Sequence, residues 1–456
     1  MEKTIDSEKT YLFESMPIPK AVLKVSVPTV LSMLVAIFYS MADTYFVGLL
    51  NDPIQTAAVT LAATIILLFN AIVNIFGIGA SSLFSRALGA KDYKTAEESS
   101  SFGVFGCVFC ALLLSLICLV FNTQVLNILG ADELNFQVTK DYMFWTVILG
   151  AAPAIMNTVV GQLVKGEGMA GHASIGMMSG CILNVILDPF FILPQFLNMG
   201  AAGAGLATFI SNCFACLYYI VLITIVKRGK TFLSFDIRKL SLRKEIVVGV
   251  CSVGVPAAIQ NILNVTGMTI INNIAAIYGS EAVSAVGISH KVCTMSLYIA
   301  MGISSGITPI VSYNYTSGNH ERMKDTIMFV LKMIIPLMLM ITAVMFGFSD
   351  RIIKLFMDNE KVVEYGSVYI KEMSVAQPFL ALDFSVIGVF QAIGKGKYSL
   401  IFAIMRKVLL EIPALFILNK IYPIYGIGFA QLVAEFVLAI VAAIMLKKTF
   451  DELNVN

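Results

Sequence analysis

The chain has 456 residues, of which 58% are hydrophobic and only 13% are charged, and its formal net charge is +2. Soluble domains carry about 25% charged residues, so this composition excludes a soluble globular protein and indicates a polytopic membrane protein. The near-neutral charge argues against binding to nucleic acid, and the three scattered histidines cannot form a metal cluster. The polar N-terminus lacks the pattern of a signal peptide, so the first apolar segment is expected to stay as a membrane span.

Apolar runs along the chain define the expected membrane spans. A helix that crosses the bilayer needs about 20 predominantly apolar residues. Such runs predict twelve helices, at residues 21–48, 55–85, 98–121, 138–164, 173–193, 201–226, 246–276, 282–314, 324–348, 363–392, 399–418 and 424–446. An even number of spans puts both termini on one side. Lys and Arg concentrate in the segments of that side, among which we count Arg406 and Lys407, so both termini are expected to be cytoplasmic.

The second half of the sequence repeats the first. KVSVPTVLSML at 24–34 matches CSVGVPAAIQNIL at 251–263, and LDPFFIL at 187–193 matches EIPALFIL at 411–418. Two six-helix lobes of one topology follow, related by an axis along the membrane normal, with substrate expected between them. The predicted organisation is a cytoplasmic N-terminal segment, an N-lobe, a basic cytoplasmic linker, a C-lobe and a tail, at residues 1–20, 21–226, 227–245, 246–447 and 448–456.

The fifth predicted helix contains the most informative polar residues. Asn184 and Asp188 are four residues apart and therefore share one helical face. Pro189 has no N–H, so the carbonyl of Val185 loses its helical partner. An acid at the centre of a membrane helix costs about 2.5–3.5 kcal/mol and normally faces a cavity or a partner. The grouped oxygens indicate a site for a proton or Na⁺; the alternative is a kinked helix whose Asp bonds a neighbouring helix.

Other spans contribute further polar residues. Asp43 lies deep in the first helix, one turn after Tyr39, and the sixth helix carries Thr208 and Asn212. These residues place the coupling-ion chemistry in the N-lobe. In the C-lobe, Gln260, Asn264 and Asp383 are either interhelical hydrogen-bonding residues or substrate contacts. The predicted substrate cavity comprises Tyr39, Asn212, Gln260, Asn264 and Asp383.

Three prolines interrupt the predicted helices. Pro28 and Pro256 occupy matching places early in the first and seventh helices, and Pro189 follows Asp188. Each removes one backbone hydrogen bond and permits bending, so all three are predicted hinges; the alternative is a packing kink without motion.

The sequence lacks the residues that ATP-driven transport and prenyl-group transfer require. No Gly-x-x-x-x-Gly-Lys-Ser/Thr phosphate loop (Walker motif) is present, so transport would be driven by an ion gradient rather than by ATP. No Asp-x-x-x-Asp pair is available for a Mg²⁺–diphosphate, which argues against a prenyl-group transferase. We therefore expect a transporter and not an enzyme.

Five stretches together resemble the multidrug and toxic compound extrusion (MATE) family, and in particular its MepA-like and DinF-like bacterial exporters. They are VPTVLSMLVAIFYSMADTYFVG, SRALGAKDY, GEGMAGHAS, LNVILDPFFI and GAAGAGLATFIS. The resemblance implies twelve helices in two lobes and export of amphipathic, often cationic compounds in exchange for H⁺ or Na⁺, with no other cofactor. DinF-like members carry their coupling residues at positions that correspond here to Asp43, Asn184, Asp188 and Thr208. NorM-like members have a Glu in helix seven, where this chain has Asn264, and an Asp in helix ten, which Asp383 matches approximately.

The resemblance also implies the partners and the location. Small-molecule drugs or dyes and the lipid bilayer are the expected partners, the protein is expected to be a monomer, and its place is the bacterial cell (inner) membrane. The main alternative is a flippase of lipid-linked saccharides from the wider superfamily. Such proteins tend to carry basic residues inside a lateral cavity, whereas the Lys and Arg here fall in predicted cytoplasmic segments.

Overall fold

The computed structural model describes residues 7–226, 229–357 and 359–455. Across these ranges the regular secondary structure is helical. The principal helices are α1 (Ile18–Gly48), α2 (Pro53–Gly89), α3 (Tyr93–Val120), α4 (Phe136–Ile148 and Ala151–Gly166), α5 (Ala170–Ile192), α6 (Gly200–Val226), α7 (Lys244–Ala276), α8 (Ser280–Thr316), α9 (His320–Gly347), α10 (Glu360–Ala392), α11 (396–421) and α12 (Gly426–Val455). Residues 1–6 of the predicted N-terminal segment, Lys227 and Arg228 of the predicted linker, and Asn456 of the predicted tail lie outside the described residues.

Most of these helices are long and apolar enough to cross a membrane. Within the described ranges, 10 helices meet that condition alone, and α4 makes an eleventh when its two parts, bent by 41°, are taken as one span. The remaining predicted span, 399–418, falls on α11. That helix is less apolar because Arg406, Lys407 and Glu411 lie in its middle, in a π-helical segment at Met405–Glu411.

Asp and Asn side chains set the first turns of several helices. Asp52 accepts a hydrogen bond from the backbone N of Ile54 at 2.9 Å, and Pro53 then opens α2. Asp92 caps α3 through Thr95 N at 3.0 Å, and Asn359 caps α10 through Val362 N at 3.1 Å. Each cap supplies an acceptor for a backbone N–H that lacks a helical partner, so the loops fix where the helices begin.

The chain divides into two compact units that do not coincide with whole helices. We call residues 7–15 together with Leu31–Ala258 the N-unit, and Met16–Val30 together with residues 259–455 the C-unit. The first part of α1 thus belongs to the C-unit, and the first part of α7 belongs to the N-unit. The lobes predicted from the sequence, at 21–226 and 246–447, instead assign both parts of α1 to the first lobe and both parts of α7 to the second.

Close packing of α5 on α6 positions the polar residues of the N-unit. A Cβ added to Gly203 would lie 2.5 Å from the carbonyl oxygen of Phe191, so only glycine allows this approach. Further along, the hydroxyl of Tyr219 donates to the carbonyl of Ala173 at 2.6 Å. Both contacts hold the two helices at short distance, which brings side chains of α5 and α6 within hydrogen-bonding reach.

In the C-unit, α10 is the central helix. Serines of α8 donate to it at intervals: Ser289 to Gly366 O at 3.1 Å, Ser296 to Gln377 Oε1 at 3.1 Å, and Ser312 to Ala392 O at 2.9 Å. Small hydroxyl residues of this kind allow close helix approach and add interhelical hydrogen bonds. The regular contacts fix the rotation of α10, and with it the direction in which Asp383 points.

Residues that connect the two halves of the sequence pack against the N-unit. Thr231, Phe232, Leu233 and Ser234 are all less than a tenth exposed. The Phe232 ring stacks on Tyr93, with ring centroids 4.5 Å apart. Beyond them, Lys239 pairs with Glu97 at 2.7 Å, and Arg243 pairs with Glu98. The described part of the predicted linker is therefore a strap fixed to the first turns of α3, and we call it the strap.

Candidate ion-coupling site

A cluster of polar side chains lies inside the N-unit, where α5 meets α6. Asn184 and Asp188 of α5 are only 2% and 0% exposed. With its amide nitrogen turned toward Asp188, Asn184 donates to Oδ2 of that residue at 2.9 Å. Its amide oxygen then accepts from the backbone N and the hydroxyl of Thr208, at 3.0 and 3.2 Å. One amide therefore links the acid of α5 to the hydroxyl of α6.

The first helix brings a second acid to this cluster. Tyr39 lies close to Thr208, Asp43 and Asp188. Asp43 and Asp188 also interact with each other. The Oδ1 atom of Asp43 is buried and has no hydrogen-bond partner among the described residues. The structure thus brings together Tyr39, Asp43, Asn184, Asp188 and Thr208, and we call these five residues the acid cluster.

The acid cluster contains negative charge without a fixed positive charge. In the part of the chain that the structure describes, no Lys or Arg pairs with Asp43 or Asp188. Asp188 is fully buried and Asp43 is half-buried, so the two carboxylates repel each other and lose part of their hydration, and the cluster favours uptake of a small cation. The oxygens of the two acids, of Asn184 and of Thr208 are the hard ligands that suit a proton or Na⁺.

Two residues near the acid cluster were missed at the sequence level. Tyr142, in the first part of α4, interacts electrostatically with Tyr39, Asp43 and Asp188. Asn157, in the second part of α4, donates to Asn212 Oδ1 at 3.2 Å, and Asn212 donates to the carbonyl of Thr208 at 2.9 Å. A lone Asn inside an apolar span was a usable signal for Asn157, whereas Tyr142 looked like an ordinary aromatic residue near a helix end.

The C-unit residues of the predicted substrate cavity lie on two helices. Gln260 is 7% exposed and Asn264 is half-buried, both on α7. Asp383 on α10 is fully buried and forms an ion pair with Arg406 of α11. Arg406 was counted among the cytoplasmic residues, but it lies in the middle of α11 with a side chain 2% exposed. The prediction that Arg406 lies in a cytoplasmic segment was wrong, because it rested on the positive charge alone and the sequence does not show that the side chain is buried.

The predicted hinges lie within helices. Pro28 and Pro256 are inside α1 and α7, and Pro189 is inside α5. The change of unit follows shortly after the first two, between residues 30 and 31 and between residues 258 and 259. The two prolines with matching sequence positions therefore also have matching positions relative to the units.

No group in the described residues resembles a metal centre. Those residues hold no cluster of three or more His, Cys, Asp or Glu side chains that could bind a metal ion. All eight cysteines are free thiols.

Acids inside a bundle of membrane helices are typical of one class of protein, the integral membrane transporters. Comparison with known sequences gives the family. The MatE family model matches residues 28–190 and 256–417. The chain belongs to the MATE family, and it is a multi-pass, all-helical membrane protein, as the sequence predicted.

The chain is similar to named bacterial exporters over nearly its whole length. It is 31% identical to the multidrug export protein MepA of Staphylococcus aureus (strain MRSA252) over 450 residues, 98% of each chain. It is also 31% identical, over 98% of each chain, to the protein of the same name in Staphylococcus haemolyticus (strain JCSC1435).

Solved structures share the fold. A multidrug resistance MATE family transporter of the MOP superfamily in the outward-facing conformation matches with a TM-score of 0.92, covering 99% of this chain and 100% of that chain at 22% identity. A MATE protein in complex with MaL6 matches with a TM-score of 0.91 at 23% identity and the same coverage. At such identities the similarity shows the common fold alone.

Proposed function

We propose that this protein is a secondary active multidrug efflux transporter that exports amphipathic, often cationic, organic compounds in exchange for H⁺ or Na⁺. The observation that carries the proposal is the acid cluster, in which Asp43 and Asp188 interact without a fixed positive charge. The similarity to proteins named for multidrug export supports the substrate class.

The chemistry of the acid cluster explains how an ion gradient would drive export. With no ion bound, the cluster holds two carboxyl groups that repel each other, and its favoured shape keeps them apart. A proton or Na⁺ taken up from outside relieves the repulsion and favours a more tightly packed N-unit. Coupling requires only that the ion binds one conformation better than the other, so that ion uptake and substrate release occur in alternation.

Individual residues have separate roles in this proposal. Asp43 and Asp188 carry the charge that the ion neutralises, and they act as a pair. Asn184 and Thr208 supply neutral oxygens to the ion. Tyr39 and Asn212 are proposed substrate contacts in the N-unit. Gln260 and Asn264 are proposed substrate contacts in the C-unit. Pro28, Pro189 and Pro256 are proposed hinges.

The setting of the transporter follows from the same proposal. The protein would work as a monomer in the bacterial cell membrane, with both termini in the cytoplasm. Dyes and drugs would leave the cell through it, and resistance to antibiotics would be one consequence. The distribution of Lys and Arg along the sequence supports this orientation.

Dye accumulation in living cells tests the proposed function. We expect that a bacterium without its own drug pumps, when it expresses this protein, accumulates less ethidium and tolerates more of it than cells with an empty vector. Asp188→Asn should return accumulation to the level of the empty vector, while Asp141→Asn, which changes an exposed acid of α4, should not. Unchanged accumulation across a broad panel of dyes and drugs, with the wild-type protein well expressed, would contradict the proposal.

A further inference from the structure

A buried triad of charged side chains lies in the C-unit, at a place that the ion-coupling site does not use. Arg406 of α11 lies between Asp383 of α10 and Glu435 of α12, and the three side chains are 2%, 0% and 1% exposed. The guanidinium pairs with Asp383 Oδ2 through Nη2, and its Nε is 3.1 Å from Glu435 Oε1. The ring of Phe384 lies under the guanidinium, 4.5 Å from its carbon to the ring centroid.

The local structure of α11 carries this arginine into the interior. The helix has a π-helical segment from Met405 to Glu411, and such segments change the direction in which following side chains point. A second pair, Lys407 and Glu411, lies on the same segment with Nζ and Oε1 2.7 Å apart. The π-helical segment therefore places two cations and one acid of α11 among the helices of the C-unit.

Other titratable groups that face the triad come from the neighbouring helices. Glu435 interacts electrostatically with Arg406, Lys407 and Glu411. His290 of α8 lies near Lys407 and Glu411. The charges of Lys407 and Glu411 cancel, so the net charge of the region depends on Asp383, Arg406 and Glu435.

The charges of the triad differ from those of the acid cluster in one respect. Both places enclose two carboxyl groups within membrane helices, where an uncompensated charge is costly. The acid cluster has no basic side chain among the described residues, whereas the triad has a guanidinium that stays protonated at any physiological pH. The triad is neutral with one proton on its two carboxyl groups, while the acid cluster needs two monovalent cations to be neutral.

We infer that Arg406 is a tethered counter-cation, which takes the place of a mobile coupling ion between Asp383 and Glu435 and so confines ion coupling to the N-unit. Arg406 is a positioning and specificity residue in this inference: it touches neither substrate nor coupling ion. The guanidinium also excludes Na⁺ from the triad by repulsion. The role in coupling rests on the proposed antiport, but the charge balance of the triad does not.

Stability of the purified full-length protein tests the charge balance without any transport. Arg406→Met removes the fixed cation, and the triad must then bind one more proton or Na⁺ to become neutral. When the pH falls by one unit, we expect the folding equilibrium constant of Arg406→Met to rise about tenfold more than that of the wild type. This is the pH dependence that one additional proton bound in the folded state produces. Added NaCl, compared with choline chloride at the same ionic strength, should stabilise this variant more than the wild type. Lys371→Met, which removes a cation from α10 outside the triad, should respond as the wild type does.

A neutral triple variant tests the inference where the single variant fails to fold. In Asp383→Asn/Arg406→Met/Glu435→Gln the triad has no charge and needs no ion. We expect this variant to fold and to lose the extra dependence on pH and Na⁺. If Arg406→Met folds and responds to pH and Na⁺ as the wild type does, the inference is overturned. It is also overturned if neither variant folds under any condition, because Arg406 would then do more than balance charge.

A transport assay separates this inference from the proposed function. In vesicles, the export that the triple variant performs should keep the ion dependence of the wild type whatever its rate, since the coupling acids Asp43 and Asp188 are untouched; the rate itself is not compared, because Asp383 belongs to the predicted substrate cavity. Export that has lost its dependence on the ion gradient would show that the triad takes part in coupling and would overturn the confinement to the N-unit. If the wild type exports nothing, the proposed function fails, whereas the stability measurements still decide whether Arg406 is the counter-cation.

Discussion

Replacing Glu167 by Gln removes a buried carboxylate that holds three separate parts of the N-unit together. Glu167 follows the last turn of α4, and its side chain is 0% exposed. Lys9 Nζ lies 3.0 Å from Oε1, and the backbone N of Phe232 donates to the same oxygen at 2.8 Å. The hydroxyl of Thr231 donates to Oε2 at 2.5 Å. One carboxylate thus fixes both the strap and the short helix Ser7–Thr10, which contains Lys9.

The size of the effect follows from burial. Lys9 is only 9% exposed at its side chain, so Glu167→Gln leaves a buried ammonium without its counter-charge. Breaking a buried ion pair in this way costs about 3–5 kcal/mol. We expect a value near the lower end of that range, because Lys9 keeps a hydrogen bond to the carbonyl of Lys230 at 2.8 Å.

Unfolding of the purified protein by SDS, followed by circular dichroism, measures this cost. The matched control is Glu452→Gln, which breaks an exposed pair with Lys395 whose side chains are 51% and 31% exposed. Surface pairs contribute less than about 1 kcal/mol, so the control should change little. The double variant Lys9→Met/Glu167→Gln should recover part of the loss. A cost for Glu167→Gln no larger than that for Glu452→Gln would refute the reasoning.

Three further predictions concern hinges, packing and ion ligands. Pro28→Ala and Pro256→Ala should slow dye efflux at unchanged expression, because each restores a helical hydrogen bond near a change of unit; normal efflux in both would remove the hinge role. Gly254→Ala would bring a methyl 2.1 Å from the Ile75 carbonyl oxygen, whereas Gly287→Ala meets open space. In the SDS titration the first should cost about 1–3 kcal/mol and the second should stabilise by up to about 1 kcal/mol, and equal effects would contradict the packing. Thr208→Val should raise the ion concentration for half-maximal efflux while Thr208→Ser should not; an unchanged concentration in the Val variant argues against Thr208 as a ligand.

The sequence predicted the helical architecture well because a bilayer imposes length and apolarity on each span. The bend of α4 and the π-helical segments were not predicted, since they depend on contacts between helices rather than on composition. The Gly203 approach to Phe191 is one such contact: the glycine is visible in the sequence, but its partner is not. The exchange of the first parts of α1 and α7 between units was also invisible, because each helix reads as one uninterrupted apolar run.

Candidate site residues could be found where a polar side chain interrupts an apolar helix, as at Asn184 and Asp188. That Tyr39 of α1 and Thr208 of α6 lie beside them required the fold. Arg406 shows the limit of this approach. This residue lies within a predicted span but was assigned to the cytoplasm because of its positive charge alone. Its partners Asp383 and Glu435 come from two other helices, so the sequence does not show the pairing.

Gradient-driven efflux in reconstituted vesicles tests the central claim most directly. Vesicles loaded with a fluorescent cation would be driven separately by a pH gradient and by a Na⁺ gradient, with wild type, Asp43→Asn, Asp188→Asn and Asp141→Asn. Asp141 is an exposed acid that accepts a hydrogen bond from Gln137 at 2.8 Å, so its variant controls for a change of Asp to Asn in the N-unit. We expect one of the gradients to drive efflux by the wild type and by Asp141→Asn, and neither gradient to drive it in Asp43→Asn or Asp188→Asn at equal protein content. Normal efflux by both of these variants at neutral pH would contradict the assignment of the coupling site.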